Sequence, residues 1–457
     1  MTPFEVDMQL QRPVFSMMRR GIRVDEAKRK DLSEHYDGEW IKFQKSLDHV
    51  AMRPINVNSP PQMKALFYDE LKFPPRRKEG KVTTDEDALR AMMAQAEEKM
   101  KGSKTQEAKN KWLRAFISAK LVLKIREIRK LKSSYLDVEI DQDHRARCTI
   151  SVGGTETMRF SHSKTLWGTG LNQATVPHKL RIFYIADEDM ELAEFDLNRG
   201  ESWVYTFLSM DPELLRIHQG GLDFHAETAS VIQGAFGGRD LTPDEIRRLA
   251  KSGDDFGYRI RYLGKKVNHA SAYRMGPFRA AEVVNTEADD TGITVIPSQM
   301  SKAQGLWRRK YFGIEGWWNG IDKQLETTRR LITPYGRERV FFGFMSDHLK
   351  KEATAYVPQS TSVDYLNRGM LRVFDELVDK GAYGLQLLHQ NHDSILVQYP
   401  RQHRTSVVPE IVGRLTSHPV VINGHRVTIP VDAQCGLNWG DYHPEKNPNG
   451  MREYKGI

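Results

Sequence analysis

The sequence predicts an α+β fold in which a large helical block is inserted into a sheet domain, behind a helical and basic N-terminal region. Three observations predict it. Strand-like segments cluster in two separate places, LDVEIDQDHRARCTISVGG through RIFYIADEDMELAEFDL (136–197) and LQLLHQNHDSILVQYP (385–400). Between them, from Pro212 to about Met345, helical patterning dominates. Ahead of both, apolar residues recur at helical spacing with a surplus of Lys and Arg.

In chain order, Asp7 to Arg23 has roughly helical apolar spacing. Ser59, Pro60 and Gln62 form a helix-start signal, with Ser59 as N-cap and Gln62 closing a capping box. A second start is expected at Thr84, with Asp87 three residues on. From Lys101 to Lys132 about eleven basic residues face two acids, and Trp112, Phe116, Leu121, Leu123, Ile125 and Ile128 form an apolar stripe. A long amphipathic helix of this kind suits phosphate tracking, although a solvated face is the commoner meaning of such charge. RIFYIADEDMELAEFDL reads as two strands around an acidic turn. Val363 to about Lys380 reads as a helix, and 385–400 as a β-hairpin with a polar tip.

Whole-chain quantities narrow the class. At 457 residues the chain is too long for one ordinary core, and 28% charged against 39% hydrophobic residues exclude a disordered polymer. A net charge of +8 suits an anionic partner, of which nucleic acid is the commonest. Two cysteines, Cys148 and Cys435, are too few for a disulfide scaffold and fit a reducing cytoplasm. The N-terminus lacks the pattern of a secretory signal, and no apolar run approaches the ~18 residues of a membrane span.

Two patterns carry chemistry. Asp196 ends the strand ELAEFDL and Asp393 tips the second hairpin. Two hard carboxylates at strand ends suit Mg²⁺, although the chain holds 60 acids and this pair alone says little. In RYLGKKVNHASAYRMGP, Arg261, Lys265, His269 and Tyr273 recur every four residues. They form one broad helical stripe, cations first and rings after, before Gly276-Pro277 ends the helix. Such a stripe suits a nucleoside triphosphate, cations to phosphates and rings to sugar and base.

Taken together and in order, these segments resemble the polymerase module of family A DNA polymerases, over nearly the whole chain. LRIFYIADEDMELAEFDLNRGESWV resembles motif A, with Asp196 as metal ligand and Glu201 as the glutamate that obstructs a ribose 2′-hydroxyl. GLDFHAETA places His225 near the triphosphate. The Arg261–Tyr273 helix resembles motif B, and NHDS resembles motif C, with His392 beside the primer end and Asp393 as second ligand. TETMRFSHS is similar to the segment whose arginine, here Arg159, touches the minor groove. GLNQATVP brings Asn172 and Gln173 as DNA contacts, and VPQSTSVDYLNRGM brings the template-contacting Gln359. KLKSSY resembles the end of the thumb, and TPYGRER the family's T-x-x-G-R turn.

The resemblance implies a right hand with an antiparallel palm sheet, helical fingers inserted in the palm, and a helical thumb. The expected division is thumb and N-terminal helices 1–145, palm 146–210, fingers 211–345 and palm again 346–457. It implies two Mg²⁺ ions held by Asp196, Asp393 and the Leu197 carbonyl, and in-line transfer of dNTPs to a primer 3′-hydroxyl on primer–template DNA. Lys265 would protonate the leaving group. The chain starts at what resembles the thumb, so no proofreading exonuclease of its own is expected, which leaves room for a separate exonuclease or processivity factor as partner. A bacteriophage-type replicase in a host cytoplasm, with no membrane partner, is the setting it suggests.

Several positions depart from the pattern. His269 stands where the family has Phe or Tyr, Arg274 where it has glycine, and Glu352 where it often has an arginine for which Lys350 or Lys351 would compensate. Ser394 stands where a glutamate usually follows the second aspartate. Single-subunit RNA polymerases carry serine there, so an RNA polymerase or primase-like enzyme is the alternative, and a non-catalytic duplex-binding relic is the other. Glu201 favours deoxynucleotides.

Overall fold

The structure, a computed structural model, describes residues 1–456, with the side chain of Asp289 outside the described set. Three long helices build the N-terminal unit: α1 (Glu26–Ala51), α2 (Glu86–Gly102) and α3 (Gln106–Leu131). Each starts at a polar cap. Asp25, Asp85 and Thr105 accept from the N–H groups of Lys28, Ala88 and Ala108 at 2.9, 3.0 and 3.2 Å. The seam of α3 is Ala115, Ala119, Val122 and Ile125, while Trp112, Phe116, Leu121 and Leu123 flank it half-buried. The expected stripe is therefore rotated, because small residues let helices approach and bulky ones fill the margins.

Two expected helix starts differ in detail. Ser59 does occupy an N-cap, but its side chain makes no capping bond, and Gln62 Oε1 instead accepts from the Asn56 N–H at 2.7 Å. The second start is capped by Asp85 rather than Thr84, and Thr83 Oγ1 steadies the Asp85 N–H.

The first two dozen residues do not join the N-terminal helical unit. Helices Pro3–Gln9 and Gln11–Arg20 bury Val6, Leu10, Val14 and Met17 in the sheet domain's core. Asp7 clamps them there through Arg337, whose guanidinium also grips the buried Asp364. Strand Ile22–Val24 then pairs antiparallel with Arg145–Ala146 and Tyr184–Ile185. The two strands expected around the acidic turn 186–189 thus belong to different sheets.

A short hairpin, β1 (Thr149–Ser151) and β2 (Ser161–Ser163), precedes the main sheet. That sheet has five antiparallel strands. These are β3 (Met190–Leu197), β4 (Gln386–Asn391), β5 (Ser394–Pro400), β6 (Val431–Gly436) and β7 (Arg452–Glu453), in spatial order β4-β5-β3-β6-β7. Its central strand, β3, comes from the first strand-rich region and its neighbours from the last. The helical block is inserted between them, as the sequence predicts.

That insertion carries α4 (Gly200–Ser209), α5 (Phe224–Ile232) and α6 (Asp255–Ala272), among others. Ala226, Ala229, Leu263, Val267, Trp307 and Tyr311 form part of its core. The chain returns through α7 (Asp347–Val373), whose Tyr365, Leu366 and Met370 pack in the core that holds β3 and β5.

Helices α5 and α6 touch at Gly264. A Cβ there would stand 2.3 Å from the His225 carbonyl oxygen and 3.2 Å from Ala229 Cβ. Buried polar bonds reinforce the contact. Thr228 Oγ1 and Trp307 Nε1 both donate to Asn268 Oδ1, at 2.7 and 2.8 Å. Gly264→Ala must push the two helices apart, at the ~1–3 kcal/mol of an overpacked core. In urea denaturation it is expected to lower the midpoint with an unchanged slope.

Candidate active site

The register of β3 brings the acidic residues together. Asp196 lies opposite Ser394 of β5 on one side and opposite Asp432 of β6 on the other. The Leu197 N–H donates to the Asp393 carbonyl at 2.9 Å, so Asp393 is tied to the strand that carries Asp196. Strand alternation buries Phe195 and Leu197 and leaves Asp196 facing out. Asp393 shares a two-residue turn with His392, which adopts φ +53°, the left-handed conformation such tight turns use.

Asp196, Asp393 and Asp432 open into one cleft of about 650 Å³. Desolvation at the cleft floor, then the charges of Asp393, Glu194 and Asp432, push the Asp196 carboxyl up to about 8, while Lys265 pulls it back. These oxygens are hard donors of the kind Mg²⁺ prefers, so Asp196 and Asp393 are the residues here that could hold such a cation. Leu197 also lines the cleft.

Helix α6 forms the facing wall. Lys265, His269 and Tyr273 line the cleft from successive turns, as their four-residue spacing predicts. Among the described residues Lys265 makes no ion pair. Arg261 is not part of the lining, and its guanidinium is engaged by Asp223 at 2.8 Å. Asp223 also caps α5, which presents His225 to the cleft. Burial, and then Arg261, hold the His225 imidazole down to about 3, so it is neutral at physiological pH.

Glu201, near the start of α4, is gripped from both sides. Arg159 Nη2 donates to one carboxylate oxygen at 2.7 Å, and the buried Tyr273 hydroxyl donates to the other. Three segments far apart in sequence thus meet at the cleft's inner end. His392 is exposed at the hairpin tip. Asn172 caps a short 3-10 turn through the Ala174 N–H, and Gln359 is half-buried on α7. Gln173 differs from expectation. It is 2% exposed, its amide nitrogen donates to the Ala146 carbonyl and its oxygen accepts from Cys148. A side chain with both ends committed inside is not placed to touch DNA.

The departures have local partners. Ser394 Oγ donates to Glu194 Oε1 at 2.9 Å, so a carboxylate from β3 stands where the hairpin lacks one. Arg274 adopts φ +55°, a conformation natural for the glycine expected there, and is held by Asp322 at 2.8 and 3.1 Å. Lys350 also pairs with Asp322, and Glu352 pairs with Arg339. Sequence reasoning missed Asp432 and Glu194. Glu194 was within reach, since it shares strand parity with Asp196; Asp432 had no such signal because its pairing partner is distant.

Residues 26–441 match the model of DNA polymerase family A. The chain belongs to this family. It is 25% identical over 453 residues to the thermostable DNA polymerase I of Thermus aquaticus, covering 95% of this chain and 47% of that one. It is 23% identical over 449 residues to DNA polymerase I of Helicobacter pylori, covering 96% and 44%. The chain therefore spans about half the length of these family A relatives. Its fold is similar to that of the POL domain of Pol1 from M. smegmatis, solved in complex with DNA primer-template and dNTP. The TM-score is 0.72 at 18% identity, over 94% of this chain and 70% of that one. The fold is the family's right hand: palm sheet, inserted helical fingers and helical thumb. No helix among the described residues is long and apolar enough to cross a membrane.

The raised Asp196 pKa has a thermodynamic consequence. Below the ordinary carboxylate range both folded and unfolded chains hold the proton, and there is no penalty. As pH rises toward about 8 the unfolded chain loses the proton first, so stability falls with pH. In chelator, Asp196→Asn is expected to raise the melting temperature more at pH 8.5 than at pH 5, as read by calorimetry. Equal gains at both pH values would contradict the assignment.

Proposed function

We propose that this chain is a template-directed DNA polymerase that adds dNTPs to a primer 3′-hydroxyl. The observation that carries the reading is the placement of Asp196 and Asp393, joined through the Leu197 N–H, across one cleft from Lys265, His269 and Tyr273. Asp196, Asp393 and the Leu197 carbonyl would hold two Mg²⁺ ions. Bound there, they supply the charge that activates a 3′-hydroxyl and offsets that of departing pyrophosphate.

The protein's own groups do the rest. Lys265, without a salt-bridge partner among the described residues, meets the triphosphate and can give a proton to the leaving pyrophosphate. Arg261, one helical turn before Lys265 on α6, would join it by exchanging Asp223 for a phosphate. His225, kept neutral by burial, donates a hydrogen bond rather than a charge. His269 offers an imidazole face to the sugar, and its ring packs edge-on against Tyr273 at 5.3 Å. Glu201 is fixed by Arg159 and Tyr273, so its carboxylate is a rigid obstacle to a 2′-hydroxyl rather than a mobile one. His392 and Arg159 would meet the primer end and minor groove, with Asn172 and Gln359 farther along the DNA. The basic thumb helices would hold phosphates without reading sequence.

Extension of a primed template with Mg²⁺, offering dNTPs and rNTPs separately, tests the proposal. The wild type should extend with dNTPs. Asp196→Asn and Asp393→Asn should each lose on the order of 10²–10³-fold or more, the scale of removing a preorganised charge stabiliser, while primer–template affinity is kept. Glu201→Ala should raise rNTP use at least roughly tenfold. Efficient rNTP use by the wild type, unchanged in Glu201→Ala, would favour the RNA polymerase reading that Ser394 suggests.

A further inference from the structure

Between the β1–β2 hairpin and β4 lies a second cluster that the polymerase reading does not use. Cys148, just before β1, His162 on β2 and His389 on β4 are 3%, 9% and 0% exposed. Their ligand atoms all lie within 4.8 Å of one another. The imidazoles stand 4.9 Å apart between centroids, and Trp439 closes the far side of His389 at 5.7 Å. The strand register slips between Leu387 and His389, an irregularity of the kind that re-aims a side chain.

Neither ring nitrogen of His389 nor of His162 makes a hydrogen bond to protein. Four buried nitrogens without protein partners call for an occupant. The Gln390 backbone lies near His162 without hydrogen-bond geometry. A ring N–H turned toward it would leave the other nitrogen as a ligand, the usual arrangement of metal-bound histidines.

We propose that Cys148, His162 and His389 form a zinc site that staples the β1–β2 hairpin to the palm sheet. A thiolate and two imidazoles are the donors zinc prefers, and a water serves as fourth ligand of a tetrahedral ion. Around such an ion the donor atoms sit roughly 3.3–3.8 Å apart, so the set closes by about 1 Å, within reach of side-chain rotation. Burial pushes the Cys148 thiol up to about 12 and holds His162 down to about 4, so without a cation all three groups are neutral. Binding therefore replaces one proton: Zn²⁺ takes up the Cys148 thiolate and both imidazoles, and the thiol proton, donated to Gln173 Oε1 at 3.3 Å in the metal-free protein, leaves to solvent as that bond is given up. The loop of the hairpin so anchored carries Arg159, and β4 leads to the Asp393 turn. The staple thus fixes Arg159, the partner of Glu201, relative to Asp393.

A water bridging the two rings would satisfy them without a metal. The full chain carrying Asp196→Asn and Asp393→Asn, which removes the carboxylate pair, separates the two cases. After chelation, addition of Zn²⁺ and gel filtration, we expect one zinc per chain by mass spectrometry and a higher melting temperature. Co²⁺ should give a thiolate-to-cobalt charge-transfer band. Adding Cys148→Ala, a small buried exchange, should abolish the band and cut retained zinc at least tenfold, with the helical circular dichroism unchanged. His389→Leu should do the same. Absence of retained zinc, absence of the thiolate band, or equal retention in the folded Cys148→Ala protein would overturn the proposal.

Discussion

The pairing of β3 with β5 is the contact on which the site depends. Seven residue pairs run from Met190↔Pro400 to Asp196↔Ser394. A strand's side chains alternate between faces, so a slip of one residue would turn Asp196 into the core and Phe195 into the cleft. Such a slip would bury a carboxylate and expose an aromatic ring, and this is why the register is strongly determined. The bond from the Leu197 N–H to the Asp393 carbonyl then extends the ladder to the hairpin tip. About two hundred residues separate the two aspartates in sequence, and the helical fingers fill the interval.

The inserted block meets that sheet through apolar packing, with Val204 and Phe207 of α4 in one core with Phe195 and Leu197, and through polar links as well. Glu201 leaves the end of the central strand's segment and meets Tyr273 from α6 and Arg159 from the hairpin loop. A half-buried carboxylate with a guanidinium and a phenol on its two oxygens is well satisfied, and removing either partner would leave charge poorly solvated. The same three groups bound the space that a nucleotide sugar would occupy in the proposed reaction. In the proposed reaction, holding the fold and selecting the substrate would be one arrangement.

Much of this was legible in the sequence because it rested on local periodicity. The hairpin at 385–400, the four-residue spacing from Arg261 to Tyr273 and the order of strand-rich and helical regions are all local signals, and each is found in the structure. What was not legible depended on distant partners. Asp432 approaches Asp196 only through β6 pairing, and the tie between Arg159 and Glu201 appears only when hairpin and α4 meet. Gln173 lies in a polar turn that reads as exposed, yet Ala146 and Cys148 draw its amide inside. The N-terminal helices read as part of the thumb because their amphipathic pattern says that one face is buried, not against what. Asp7 and Arg337 decide that they join the palm.

Manganese, which replaces Mg²⁺ at oxygen sites and scatters anomalously, locates the proposed ions directly. Crystals of the chain with primer–template and a non-hydrolysable dNTP analogue, soaked in Mn²⁺, would be measured above the manganese edge. The account predicts anomalous peaks between the carboxylates of Asp196 and Asp393, with the analogue's phosphates turned toward Lys265. A bound analogue with no peak between those two carboxylates, or with its phosphates away from α6, would contradict it.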